Sequence, residues 1–198
     1  PQAVEIWLTV LKGGGNAIDA AIATSLSLGV AEPYASGLGG KLMLLYYEAK
    51  SGKIFVVDAM DAAGSLDVTA YRKRPDVDRS YGYGAVCVPG LPAGLWAAHQ
   101  KWGAKKWADD IQPAVALARA GFRVLSKTRE IFEEQEKKLR RGDAELARLF
   151  LPGGKLPEVG SLLANESLAR TMELFAAQGR DGFYRGAIAE DIVGAAAQ

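Results

Sequence analysis

The sequence predicts a mixed fold of helices and strands, α/β or α+β, and three observations carry that expectation. A triple-glycine turn, Gly13-Gly14-Gly15, opens a helix with almost no polar face. A second glycine-rich loop, residues 37–40, opens two apolar strands. Further on, residues 128–141 are charged almost throughout and have the spacing of a solvated helix. The segment from Gly13 to Asp61 holds the first two features, and the rest of the chain is organised around it.

The elements read in order as follows. Residues 2–11 form a helix, with Val4, Trp7, Leu8 and Leu11 on its apolar face. No signal peptide and no leading strand precede it, so the chain is expected to begin inside a larger protein, and the compartment stays open. Glycines 13–15 end that helix, because glycine takes a left-handed cap without strain. Asn16 is an N-cap and Asp19, three residues on, lies near the positive end of the next helix dipole. That helix spans 17–31. Asp19 is its only charge and alanines recur along it, so neighbours can approach closely and it belongs in the interior. Glu32-Pro33 stops it.

Residues 42–47 and 53–57 are strands joined across Ala49-Lys50-Ser51-Gly52, a hairpin connection. Both are nearly continuous apolar runs, which predicts a sheet covered on both faces. Residues 37–40 lack the Gly-Lys-Ser/Thr ending of a phosphate loop and precede a strand, whereas a nucleotide fingerprint opens a helix. Close backbone packing is the better reading there. Asp58-Ala59-Met60-Asp61 forms a polar elbow where the second strand leaves the sheet, a place where sites concentrate.

A polar stretch, 67–84, leads to a short strand at 85–88. Helices follow at 95–102 and at 108–120, the latter with Ile111, Val115 and Ala118 inward and Gly121 closing it. The charged helix, 128–141, carries the i,i+4 pairs Glu133/Lys137, Glu134/Lys138 and Glu136/Arg140, and docks through Ile131, Phe132 and Leu139. Asn165 caps a helix running to Gln178 with Leu168, Met172 and Phe175 as its core stripe. Residues 182–186 turn into a last helix, 187–197.

Composition excludes several functions. With 198 residues, 49% of them hydrophobic, the chain is large enough for a sizeable core. A net charge of +1 gives no nucleic-acid footprint. Arg72, Lys73, Arg74 and Arg79 are interleaved with Asp76 and Asp78, as in a solvated loop. The single cysteine, Cys87, excludes an internal disulfide and reads as a buried small hydrophobe. A lone His99 and no zinc spacing point to no metal site, and no cofactor is implied. No apolar run reaches the roughly 18 residues of a membrane span. Pattern alone stops at an α/β or α+β fragment and names no reaction.

Specific segments go further. Gly14-Gly15-Asn16-Ala17-Ile18-Asp19-Ala20-Ala21-Ile22-Ala23, Glu32-Pro33 and Ser36-Gly37-Leu38-Gly39-Gly40 closely resemble the opening of the γ-glutamyltranspeptidase family. Val88-Pro89-Gly90-Leu91-Pro92-Ala93-Gly94-Leu95 resembles that family's Val-Pro-Gly segment before a helix. Pro113-Ala114-Val115-Ala116-Leu117-Ala118, with Gly121-Phe122, is similar to its next helix and closing turn. Leu168-Ala169-Arg170-Thr171-Met172 and residues 182–189 complete the series in the family's order, over nearly the whole chain.

The resemblance implies an α+β fold, the four-layer αββα sandwich of the N-terminal-nucleophile hydrolases, made as a precursor that cuts itself. The family's nucleophile is a threonine at the first position of a second, smaller chain, where its own α-amino group serves as base. Thr9, Thr24, Thr69, Thr128 and Thr171 have no processing context, so no catalytic residue is expected on this chain. Residues 1–198 then resemble part of a large subunit lacking its first strand and its C-terminal part. The implied partners are a small subunit carrying the nucleophile and a small amide substrate, with neither nucleic acid nor membrane. Purified alone, such a piece is expected to be poorly soluble because strands would be left as open edges.

One departure bears on specificity. Where γ-glutamyl-specific members have Asp-Phe-Arg-Glu, this chain has Asp58-Ala59-Met60-Asp61, which makes Met60 and Asp61 the candidate substrate-binding residues. A thioether cannot make the bidentate contact that arginine gives a carboxylate. Lys41, a departure from the small or acidic residues usual in that loop, is a candidate replacement cation. Three expectations follow: an amidohydrolase of altered acyl specificity, in the manner of oxamate amidohydrolases or cephalosporin acylases; a genuine γ-glutamyl transpeptidase or hydrolase with its clamp built elsewhere; or a relative that has lost the nucleophile.

Overall fold

Asn16 fixes where the central helix begins. In the structure, a computed structural model describing residues 1–64, 67–75 and 82–196, the Asn16 side chain accepts the N–H groups of Ile18 and Asp19. Asp19 accepts the Asn16 N–H in return, closing a capping box. The helix so started, α2 (Ala17–Ala31), has Ile18, Ile22, Leu26 and Val30 in the main core. Its opposite side, Ala20 and Ala23, is small enough for α1 (Gln2–Lys12) to pack closely.

That close approach selects a different face of α1 from the expected one. Ala3 and Val10 are buried and Ile6 and Leu11 partly so, while Val4, Trp7 and Leu8 are exposed. The stripes 3-6-10 and 4-7-8-11 are adjacent on one helix, and only the first is small enough at Ala3 to meet the alanines of α2.

Strands β1 (Leu42–Glu48) and β2 (Lys53–Ala59) form the expected antiparallel hairpin, with Leu42 opposite Ala59 and Glu48 opposite Lys53. Gly52, at φ +67°, makes its turn. Leu42, Leu44, Tyr46 and Val57 pack on the core, and the Tyr46 and Phe55 rings sit 5.1 and 5.3 Å from Trp102. The reverse face is bare, contrary to the expectation of a sheet covered on both sides. Met43, Leu45, Tyr47, Ile54 and Val56 are 59–72% exposed. Within this chain the hairpin has a cover on one face alone.

Helix α3 (Val68–Arg72) is short, and Asp67 caps it. Helix α4 spans Leu91–Trp102 and so starts four residues earlier than the sequence suggested, since Pro92 fits a first turn where its missing N–H is not needed. Helix α5 (Trp107–Ala120) runs between α2 and α9 (Glu166–Gln178). It buries Ile111, Ala114, Val115 and Ala118, and Gly121 closes it as expected. Asn165 caps α9 by accepting the Leu168 N–H, and Ala169, Met172 and Phe175 face inward. Trp107 stands edge-on to Phe175 at 4.9 Å and donates its indole N–H to the Phe175 carbonyl.

Four expectations are corrected. Residues 85–88 are not a strand: Tyr83–Ala85 is a 3-10 turn, and only Val88 pairs, with Ala62. Cys87 there is half-buried between exposed Val86 and Val88, so it is no core hydrophobe. The helix read at 128–141 is two, α6 (Ser126–Glu134) and α7 (Glu136–Arg141), broken at Gln135. Phe132 is buried and Leu139 packs on the core, so each piece keeps its own docking residue. Glu136 and Arg140 pair as expected, whereas the break removes Glu133/Lys137 and Glu134/Lys138 from a common helix.

The sequence did not reveal α8 (Ala144–Phe150), nor the two-residue strands β3 (Phe122–Arg123) and β4 (Leu162–Leu163) that pair with each other. Residues read as a turn near 182 are helical in α10 (Arg180–Tyr184), which precedes α11 (Ala187–Ala196). Asp76, Asp78 and Arg79 of the basic cluster, and the expected helix end at 197, lie outside the described residues. No helix among the described residues is long and apolar enough to cross a membrane.

Candidate functional site

The elbow after β2 is held on three sides by backbone. Gly40 of the glycine loop accepts the N–H groups of Gly90 and Leu91 through its carbonyl, at 3.1 and 3.0 Å. Ala62 and Val88 exchange both of their hydrogen bonds, at 3.1 and 2.8 Å. A Cβ on Gly90 would stand 2.1 Å from the Ala59 carbonyl oxygen, and one on Gly94 would meet the Ala59 side chain. Gly90 and Gly94 are therefore present for close approach, whereas a Cβ on Gly37 or Gly39 would meet nothing within 4 Å, so the close packing expected at 37–40 is not what places glycine at those two positions. Gly29 repeats the device: a Cβ there would lie 3.0 Å from Gly37 Cα, so α2 packs directly on the loop.

A second tie comes from far along the chain. The Tyr184 hydroxyl donates to the Pro89 carbonyl and accepts the Ala93 N–H at 3.2 Å. Burial pushes the Tyr184 phenol above its ordinary pKa, which keeps it a neutral donor.

Within this frame the structure brings the sequence candidates together. The Asp58 carboxylate accepts the Met60 N–H at 3.2 Å, turning the chain at the strand end. Met60 points outward, 45% exposed. Next to it, Asp61 lies 3.7 Å from the Lys41 ammonium, the cation contributed by the loop before β1. The elbow thus presents a thioether beside one cation and one carboxylate.

All five threonines lie in helices. Thr9, Thr24 and Thr171 bond back to the carbonyls of Glu5, Ala20 and Ser167 on their own helices. Thr128 is buried, and Thr69 lies in α3.

Sequence reasoning missed one constellation. Asp19, His99 and Asp110 each bring a possible ligand atom within 4.8 Å of the others, and both aspartates are fully buried. Asp110 lies on the stripe Trp107, Ile111, Ala114, Ala118, so helical spacing alone could have flagged an acid on an apolar face.

The fold recurs in known proteins. A γ-glutamyltranspeptidase from Helicobacter pylori superposes with a TM-score of 0.89 at 32% identity, over 97% of this chain and 56% of that one. A cephalosporin acylase from Bacillus halodurans does so with a TM-score of 0.87 at 29% identity, over 97% of this chain and 37% of that one. These place the chain in the α+β class of the N-terminal-nucleophile hydrolases. A family model described as Gamma-glutamyltranspeptidase matches residues 3–198, and the chain belongs to that family. The glutathione hydrolase proenzyme of Bacillus subtilis (strain 168) is 36% identical over 97% of this chain. Glutathione hydrolase 3 of Arabidopsis thaliana is 31% identical over 96% of it. The chain spans 33% and 30% of the lengths of these two relatives.

Proposed function

We propose that this chain is the part of an amide hydrolase or acyl transferase that walls the acyl pocket, in a domain that residues 1–198 share with a companion chain. The companion carries an N-terminal threonine released by self-cleavage. Its hydroxyl attacks the substrate carbonyl while its α-amino group takes the proton and passes it to the departing amine as the amide C–N bond breaks; water or a second amine then resolves the acyl-enzyme. Support for the split comes from the proenzyme relative, from the one-third coverage, and from the bare hairpin face.

The observation that carries the specificity is the exposed Met60 at the end of β2, with Asp61 beside it. A thioether offers no charge-assisted hydrogen bonds to an α-carboxylate, which are worth about 1.5–3 kcal/mol each. The acyl group preferred here is therefore one other than an ordinary γ-glutamyl group. Likeness to a cephalosporin acylase fits a family scaffold that accepts other acyl groups.

One observation favours a second reading, a genuine γ-glutamyl enzyme. Lys41 and Asp61, 3.7 Å apart, are a cation and an anion of the kind that could take an amino acid's carboxylate and ammonium. Assay of the complete protein with γ-glutamyl-p-nitroanilide and with neutral acyl p-nitroanilides separates the two. Low turnover of the first and higher turnover of a neutral one is expected. Turnover of the γ-glutamyl compound at the level of a γ-glutamyl-specific relative would defeat the altered-specificity reading.

A further inference from the structure

The buried trio Asp19, His99 and Asp110 lies outside the elbow and joins three helices. Asp19 belongs to the first turn of α2, His99 to the last turn of α4 and Asp110 to the first turn of α5. The two aspartates are both fully buried, yet their surroundings differ. Asp19 accepts three backbone N–H groups: Asn16 at 2.7 Å on one oxygen, and Ala104 and Lys105 at 2.9 and 3.3 Å on the other. Asp110 has no hydrogen-bond donor on either oxygen. A buried carboxylate without donors, facing a second carboxylate, is among the costliest arrangements in a protein interior.

Two groups could relieve it, a metal ion or a proton, and the hydrogen bonds discriminate between them. His99 Nε2 lies 3.0 Å from the Lys105 carbonyl, which can only accept, so this nitrogen carries hydrogen and is not free to ligate. The same nitrogen is the one nearest Asp110, at 3.7 Å. Asp19 is already surrounded by N–H dipoles that repel a cation. It nevertheless keeps a lone pair on the oxygen that takes only the Asn16 N–H. A proton on Asp110 uses that lone pair and turns an orphaned acceptor into a donor.

We propose that Asp19 and Asp110 form a buried proton-binding site, in which a neutral Asp110 carboxyl donates to the ionised Asp19 and so clamps α5 to α2. Burial first, and then the Asp19 charge and its hydrogen bond, push the Asp110 carboxyl up to about 7. Lys105 opposes this weakly and Asp109, on the same helix, adds to it. From α4 the group faces His99. The ionisable residues of α9, also packed on α5, gather elsewhere: Glu166 and Glu173 bind Arg119 near the end of α5, and Arg170 binds Glu166.

The sign follows from linkage. An aspartate that holds its proton in the folded state up to about pH 7, and releases it at the ordinary 3.8 when unfolded, favours folding at low pH. That contribution is lost progressively as pH rises from about 4 through about 7, and the clamp loosens above it.

The test uses the complete protein containing this chain, with Asp110→Asn, which keeps a donor but cannot ionise. Melting temperatures of the two proteins are compared between about pH 5 and about pH 8.5. Wild type is expected to match the variant near pH 5 and to fall below it by several degrees near pH 8.5. A difference that does not change with pH would overturn the proposal. So would a melting temperature raised by added Zn2+ or Mn2+ in wild type and not in Asp110→Asn, since the trio would then hold a cation. Should the variant not fold, infrared spectra of wild type with 13C-labelled aspartate carboxyls decide. A protonated carboxyl present near pH 6 and lost by about pH 8.5 supports the site, and its absence near pH 6 overturns it.

Discussion

Gly90 lies directly on the carbonyl of Ala59: a Cβ there would stand 2.1 Å from that oxygen and 2.5 Å from the carbonyl oxygen of Met60. The start of α4 therefore sets where the elbow carrying Met60 and Asp61 can sit. Gly90→Ala must push the strand end away, and overpacking of this kind costs about 1–3 kcal/mol. Thermal denaturation should show a lower melting temperature. Kinetics on the complete protein should show a raised KM, since the proposed function puts the displaced residues in the acyl pocket and the nucleophile on the companion chain.

Met60→Arg should move specificity toward carboxylate-bearing acyl groups. One charge-assisted hydrogen bond gained in the transition state is worth about 1.5–3 kcal/mol, or roughly 10- to 150-fold. The kcat/KM for γ-glutamyl-p-nitroanilide should rise by that order while a neutral acyl compound gains nothing. An equal change for both substrates would mean that position 60 does not contact the acyl group.

The bare hairpin face should be an assembly surface. Burying a large apolar side chain contributes about 1.5–3 kcal/mol, and five such side chains point the same way from β1 and β2. Leu45→Lys or Val56→Lys should reduce recovery of the companion chain in co-purification, or leave the precursor uncut. The inward-facing hairpin residues would remain packed. Normal recovery of the companion would show that it covers some other surface.

Asn16 does two things at once, so its loss should exceed an ordinary cap. Its side-chain oxygen caps α2, while its amide donates to the Trp102 carbonyl at 2.6 Å. Asn16→Ala removes a cap worth about 0.5–2 kcal/mol and also leaves that carbonyl without this donor. Asn16→Asp keeps the cap alone. Melting temperatures should fall in the order wild type, Asp, Ala.

These elements differ in how far the sequence revealed them. The cap at Asn16, the all-round apolar α2 and the Gly52 hairpin were legible because each depends on local chemistry. The inward face of α1 was not, because two adjacent apolar stripes compete and only the alanines of α2 choose between them. The break at Gln135 was hidden too, since the i,i+4 charge pattern continues across it. At the elbow, position 60 stood out through its departure from a motif. The Asp19–Asp110 pair joins residues 91 positions apart and was missed, although Asp110 lies on an apolar helical stripe.

Where the nucleophile resides is the central question for this protein. Intact mass and N-terminal sequencing of the complete protein, purified in active form, measure that directly. Two chains are expected, the smaller beginning with threonine. A single uncut polypeptide that hydrolyses amides would contradict the account.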